Sequence, residues 1–190
     1  MKRINLRIAP DSLECLIKRV PAAAPILAAA PMLCLLACAE KGVAPEPDPE
    51  PRVVLNELMA DNAGTTADDD GEFDDWIEIL NVGETEIPLS DLALTDRLDD
   101  TDPWIPEGTE ALSPGERVLI WADGDDTALH ADFKLNVLGE TVVLHWSREG
   151  GIIDSVTYEA LDADEAYARF PDGEGPWRRT DQPTPGGSNS

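Results

Sequence analysis

The sequence predicts an all-β sandwich or barrel, and three observations carry that prediction. Beyond residue 52, short runs rich in β-branched and aromatic residues recur along the chain. Most of the gaps between them hold a glycine placed where a turn needs positive φ. No run in this region is long enough, or periodic enough at 3.6 residues, to read as a helix. Several short strands at this spacing fold into two facing sheets or a closed one.

In chain order, the first run is VVLNELM, Val53–Met59, apolar except for a central Asn-Glu pair. DWIEILN, Asp75–Asn81, follows, opening on Asp75 and carrying Glu78 among its apolar residues, and NVGE turns the chain after it. LALTD, Leu92–Asp96, is a short third run, and LSPGE leads into the fourth, RVLIWAD, Arg117–Asp123. ADGDD and NVLGE separate that strand from TVVLHW, Thr141–Trp146. REGG then precedes the sixth, IIDSVTY, Ile152–Tyr158. Residues 53–190, about 138 in all, can bury roughly 70% of their unfolded surface, so the fold needs no disulfide.

The ordered run of motifs resembles the bacterial lamin tail domain family. An N-E pair in the first strand and D-W-I-E-[LI]-x-N in the second are followed by L-S-[DG]-[WYL]-x-L-[TS]-D, here LSDLALTD. IPEGTEALSPGERVLIWAD, LHADFKLNVLGETVVL, IIDSVTY, AYARFPDG and PTPGGSN continue in family order, so the resemblance spans Val53 to Asn189. Leu92 stands where an aromatic is common, and Ala168 where glycine often precedes Arg169. The resemblance implies an immunoglobulin-like β-sandwich used for attachment and recognition, often as an appendage of bacterial surface proteins.

Upstream of this domain lie two further segments. Lys18-Arg19 precedes the uncharged stretch Val20–Ala37, which carries Pro21, Pro25 and Pro31. Three prolines oppose a stable membrane span, whereas a basic segment, an apolar segment and a small residue make a secretory signal. LLAC, Leu35–Cys38, resembles the bacterial lipobox, in which a small residue permits cleavage and the cysteine thiol takes up a diacylglyceryl group. Cys34 does not compete, because Leu33 before it is bulky. Residues 1–37 are therefore expected to be a lipoprotein signal peptide, with Cys38 the lipid attachment site. Each buried CH₂ contributes about 0.8 kcal/mol, so the three acyl chains of such proteins hold permanently. Ala39 rather than aspartate after the cysteine implies export to the outer membrane where the aspartate-retention rule operates. Residues 38–52 read as an acidic tether, with Pro45, Pro47, Pro49 and Pro51 favouring extended polyproline II. At about 3.1 Å per residue it could hold a domain up to roughly 40 Å from the lipid.

Charge narrows the partners. The chain holds 14 basic and 39 acidic residues; beyond residue 37 the balance is nine against 37, a net of −28. Such a surface repels phosphate backbones, which excludes nucleic acid, and attracts cations. Catalysis finds no support: His130 and His145 form no metal-binding or triad motif, and no phosphate-binding loop or G-x-S-x-G elbow is present. No cofactor is expected except, as the one candidate, calcium. In DDDGEFDD, Asp68–Asp75, Asp68, Asp70 and Glu72 recur at two-residue spacing around Gly71, as hard oxygen ligands do. A solvated loop explains the same residues. Of five tryptophans, Trp76, Trp121 and Trp146 fall in strands, where core burial is expected. Trp104 and Trp177 fall in loops and are the candidate ligand-binding residues. The sequence thus supports a lipid-anchored, non-catalytic envelope domain for adhesion, scaffolding or protein interaction. The alternative is a recognition module for glycan or calcium, which exposed Trp104 and Trp177 beside polar donors would favour.

Overall fold

A computed structural model describes residues 52–190, apart from residues 109 and 149. The signal peptide, Cys38 and the tether up to residue 51 lie outside the described residues. Ten strands follow one another: β1 Val53–Met59, β2 Trp76–Asn81, β3 Ile87–Pro88, β4 Leu92–Thr95, β5 Ala111–Leu112, β6 Arg117–Trp121, β7 Thr141–Trp146, β8 Ile152–Thr157, β9 Ala166–Arg169 and β10 Trp177–Thr180. Among the described residues one 3-10 turn, Leu89–Asp91, interrupts them. All six expected strands are present; three end one or two residues early, at Thr95, Trp121 and Thr157, and one begins a residue late, at Trp76. The sequence reading missed the two-residue pair β3–β5 and the β9–β10 hairpin.

The strands form a five-stranded antiparallel sheet in the order β10-β9-β1-β2-β6 and a three-stranded one in the order β4-β7-β8. Between them lies the main core, with Leu55, Leu58, Ile77, Ile79 and Ile120 from the large sheet and Leu92, Leu94, Val142, Leu144 and Val156 from the small one. This is the immunoglobulin-like sandwich that the sequence predicts. Val53, Leu55, Ile77, Ile79 and Ile120 follow the two-residue period of a half-buried strand.

One interruption of that period matters for everything below. The pairing of β1 with β2 slips between Leu55 and Glu57, leaving Asn56 as the extra residue of a bulge. Without the slip, Glu57 would follow Leu55 onto the core face. With it, Leu58 faces the core instead, and Glu57 sits opposite Glu78 on the outer face of the large sheet. Trp76, Met59, Trp121 and Ala166 form a second apolar cluster on that same outer face. Two glycines close turns that no side chain could enter. A Cβ on Gly175 would lie 1.9 Å from the Phe170 carbonyl, inside the β9–β10 connection. Gly139 has φ +100°, and a Cβ there would lie 2.5 Å from the Tyr158 carbonyl oxygen.

Candidate functional site

The acidic loop lies between β1 and β2 and folds on itself. Asp68 Oδ1 accepts the backbone N–H groups of Asp70, at 2.9 Å, and Glu72, at 2.8 Å. Asp68 N–H in turn donates to the Glu72 carbonyl at 3.0 Å, and Gly71 supplies a positive φ of 85°. The side chains that converge are Asp68, Glu72 and Asp74, whose oxygens all lie within 4.8 Å of one another. Of the sequence-derived set Asp68, Asp70 and Glu72, the loop brings Asp68 and Glu72 together, while Asp70 is exposed outside the group. Burial, with the charges of Asp123 and Asp68, pushes the Asp74 carboxyl above its usual range.

Of the two candidate loop tryptophans, Trp104 lies outside the strands as expected, whereas Trp177 does not. Trp104 is 6% exposed, held by paired backbone hydrogen bonds to Leu94 at 2.8 and 2.9 Å on the open edge of β4. Its ring has no open face on which a sugar could stack. Trp177 belongs to strand β10 rather than a loop and is half-buried. Its indole stacks on Tyr167 with centroids 5.3 Å apart, and the Arg169 guanidinium lies 4.9 Å from its centre. Of the strand tryptophans, Trp76 and Trp121 are buried, while Trp146 is half-buried at the end of β7.

The densest polar constellation was not singled out from the sequence. Glu57, Glu78 and Asn56, all fully buried, meet Asp172 from the β9–β10 connection and Arg117 from β6. Asn56 Nδ2 donates to Glu78 at 2.8 Å and to Asp172 at 2.9 Å, and its Oδ1 accepts the Gly173 N–H at 2.8 Å. Arg117 reaches Asp172 at 2.5 Å and Glu78 at 3.5 Å. A C-terminal strap, residues 183–189, lies over this group. Thr184 N–H donates to Glu57 at 3.1 Å and Gly186 N–H to Glu78 at 2.7 Å. Ser188 Oγ–H and Asn189 N–H donate to Asp172 at 2.6 and 3.0 Å.

Burial raises the Glu57 carboxyl from 4.5 to about 7, against the opposing Thr184 hydrogen bonds and with the Glu78 and Asp172 charges adding to it. Hydrogen-bond counting points the same way. The Thr184 hydroxyl has one proton, yet it contacts two acceptors, Glu57 Oε2 at 3.0 Å and Asn189 Oδ1. A proton on Glu57 completes the chain, passing from Glu57 to Thr184 to Asn189. Burial likewise raises Glu78, whereas the hydrogen bonds of Ser188, Asn56 and Asn189 together with Arg117 outweigh burial and lower Asp172. The sequence carried one signal for this group: Asn56-Glu57 and Glu78 break otherwise apolar strands. Nothing local revealed that the last residues of the chain would cover them.

A family model described as Lamin Tail Domain matches residues 46–160, ending before β9. No curated protein matches the chain.

Proposed function

Because the chain belongs to the lamin tail domain family, an immunoglobulin-like and non-enzymatic family of interaction modules, we propose that it is a lipid-anchored, non-catalytic protein of the bacterial cell envelope whose sandwich binds a protein partner. The lipid sits on Cys38, and the acidic, proline-rich tether carries the domain clear of the membrane surface, which for this protein is the outer membrane. The binding half of the reading rests on the β9–β10 hairpin. Tyr167, Trp177 and Arg169 form one stacked group there; Arg179 is exposed on the same face of the hairpin and Arg178 on the opposite one. Three of the eight basic residues in 52–190 thus gather on one hairpin of a strongly acidic domain. Tryptophan, tyrosine and arginine are the residues that anchor protein interfaces. The partner that fits is a protein with an acidic, partly apolar surface.

Two measurements test this. Metabolic labelling with a palmitate analogue should tag the wild type, and Cys38→Ser should lose both label and membrane retention. Retention of the unlabelled variant would mean that something other than a lipid on Cys38 holds the protein at the membrane. Affinity capture from detergent-solubilised envelope should recover a partner with the wild type and lose it with Trp177→Ala/Arg179→Glu. Equal recovery by both would remove the hairpin from the interface.

A further inference from the structure

The two sheets of the sandwich differ in width, and the mismatch falls on one side. β8 is the edge of the three-stranded sheet and lies across from β1, where the Leu55 N–H donates to Asp154 Oδ2 at 3.0 Å. The same carboxylate holds Arg169 of β9 at 2.9 Å. In the large sheet β9 and β10 lie beyond β1, so they extend past β8 with no described strand of the small sheet over them. Tyr167 and Trp177, on the core side of that overhang, are therefore only half-buried. A groove of about 280 Å³ lies between β8 and the overhang, lined by Thr157, Glu159, Leu161, Tyr167 and Arg179.

The edge of β8 that faces this groove is unpaired among the described residues. The Tyr158 N–H donates to the Glu140 carbonyl at 3.0 Å, so Tyr158, Val156 and Asp154 turn their backbone groups toward β7. Ser155 and Thr157 turn theirs the other way, toward the groove. Asp154 Oδ1 accepts the Ser155 N–H at 2.8 Å, which leaves the Ser155 carbonyl and both backbone groups of Thr157 on offer.

Granted that the β9–β10 hairpin is the partner site, we propose that the partner protein adds one extended strand to β8, lying in the groove over Tyr167 and Trp177. Such a strand takes main-chain hydrogen bonds from β8, and every second side chain points down onto the hairpin. Trp177 pairs with Arg169 and Arg179 with Tyr167, so successive inward side chains meet first the stacked rings and then the Arg179 guanidinium. Arg179 touches Glu165 at 3.3 Å and the Ala160 carbonyl, and with five N–H donors it can take a further carboxylate. The segment that fits is apolar over Trp177 and acidic two residues on, beside Arg179. A second copy of this chain does not fit. Antiparallel pairing of two β8 edges would drive each copy's β9 and β10, an overhang of about 10 Å, into space that the other's β1 fills. Parallel pairing would lay the polar Ser155 and Thr157 of one copy on the rings of the other, because Val156 faces its own core. The overhang thus shields an open edge from sheet-to-sheet association while leaving room for a single strand.

The experiment is amide exchange followed by NMR on the full chain, with end-blocked synthetic heptapeptides that alternate threonine with valine, leucine and glutamate. Both orders are used, Thr-Val-Thr-Leu-Thr-Glu-Thr and its reverse, because a strand can run either way along β8. One order should bind saturably, slow exchange of the Thr157 amide about tenfold or more and shift the Trp177 indole signal. Lysine in place of its glutamate should weaken binding about tenfold, the loss expected for one charged hydrogen bond. Methylating the nitrogens of either the inward or the outward residues gives two further probes. One of the two should lose binding and the other keep it, since a strand presents a single edge to β8. Thr157→Pro removes the outward N–H at an edge position that tolerates proline, and should weaken binding about tenfold while the protein melts near the wild-type temperature. Silence from both peptide orders overturns strand addition. So does binding that leaves the Thr157 amide exchanging freely, or that both methylated probes reproduce; partner capture lost in Trp177→Ala/Arg179→Glu would then keep the hairpin as the site without it. A Thr157 amide already protected in the chain alone would mean that the chain's own tether or a second copy occupies β8, and overturns the proposal as well.

Discussion

At the scale of single residues, Glu57 is the most informative position in the domain. Its carboxyl titrates near 7 when folded and near 4.5 when unfolded, so between those values the folded state binds the extra proton. Stability from this group therefore falls as pH rises from about 4.5 to 7 and stays reduced above that. A glutamine in its place would keep the acceptor for Thr184 N–H and offer a permanent donor to the Thr184 hydroxyl. Glu57→Gln should leave the melting temperature near pH 5 almost unchanged and raise stability at pH 8 by on the order of 1–3 kcal/mol. Chemical denaturation at the two pH values reads this directly. Equal destabilisation at both would mean that Glu57 is held as a carboxylate throughout. Asp75, raised to about 6 chiefly by burial, adds a change of the same sign that the variant leaves in place.

At the scale of elements, the strap shows what a short segment can do for a sheet. Residues 183–189 supply backbone and hydroxyl donors to three carboxylates that the bulge in β1 and the register of β2 turn onto one face. Ending the chain at Gln182 should cost roughly 2–5 kcal/mol, less than the sum of the lost hydrogen bonds because water replaces part of them. It should also abolish the pH dependence of Glu57, because a solvated carboxyl returns to its ordinary range. A truncated chain with wild-type stability would show the strap to be ornamental. The six longer strands were legible because their apolar residues recur within single segments. The hairpin β9–β10 was missed because AYAR and WRRT are four residues each, and only pairing with β1 and with each other makes them strands. The polar network was invisible for a related reason. Glu57 and Thr184 are 127 residues apart, and no local pattern encodes such a contact. The burial of Trp104 was not legible, because its loop is held against β4 by two backbone bonds and not by any period of its own.

At the scale of the molecule, charge dominates the response to solution conditions. Nine basic against 37 acidic residues beyond residue 37 oppose compaction by self-repulsion, so any added salt should stabilise the fold. Screening with a Debye length of about 8 Å at physiological ionic strength acts on all these charges at once. A specific calcium site would instead add stability that saturates with ion concentration. Sodium chloride at matched ionic strength should reproduce most of calcium's effect on melting temperature, and Asp74→Asn or Asp70→Asn should alter it little. A saturable calcium shift that survives high salt and vanishes in Asp74→Asn would establish a metal site in the β1–β2 loop.

The position of β1 has a temporal consequence as well. It lies in the middle of the large sheet, between β2 and β9, and its buried glutamate is covered by the strap. A chain made amino-terminus first forms β1 early but cannot flank it with β9 or cover it with the strap until residues 166–189 have been made. Non-local pairing of this kind is slow to form. Until then β1 lacks one neighbour and its glutamate lacks its donors, so residues 183–189 act as the latch that commits the domain to its folded state.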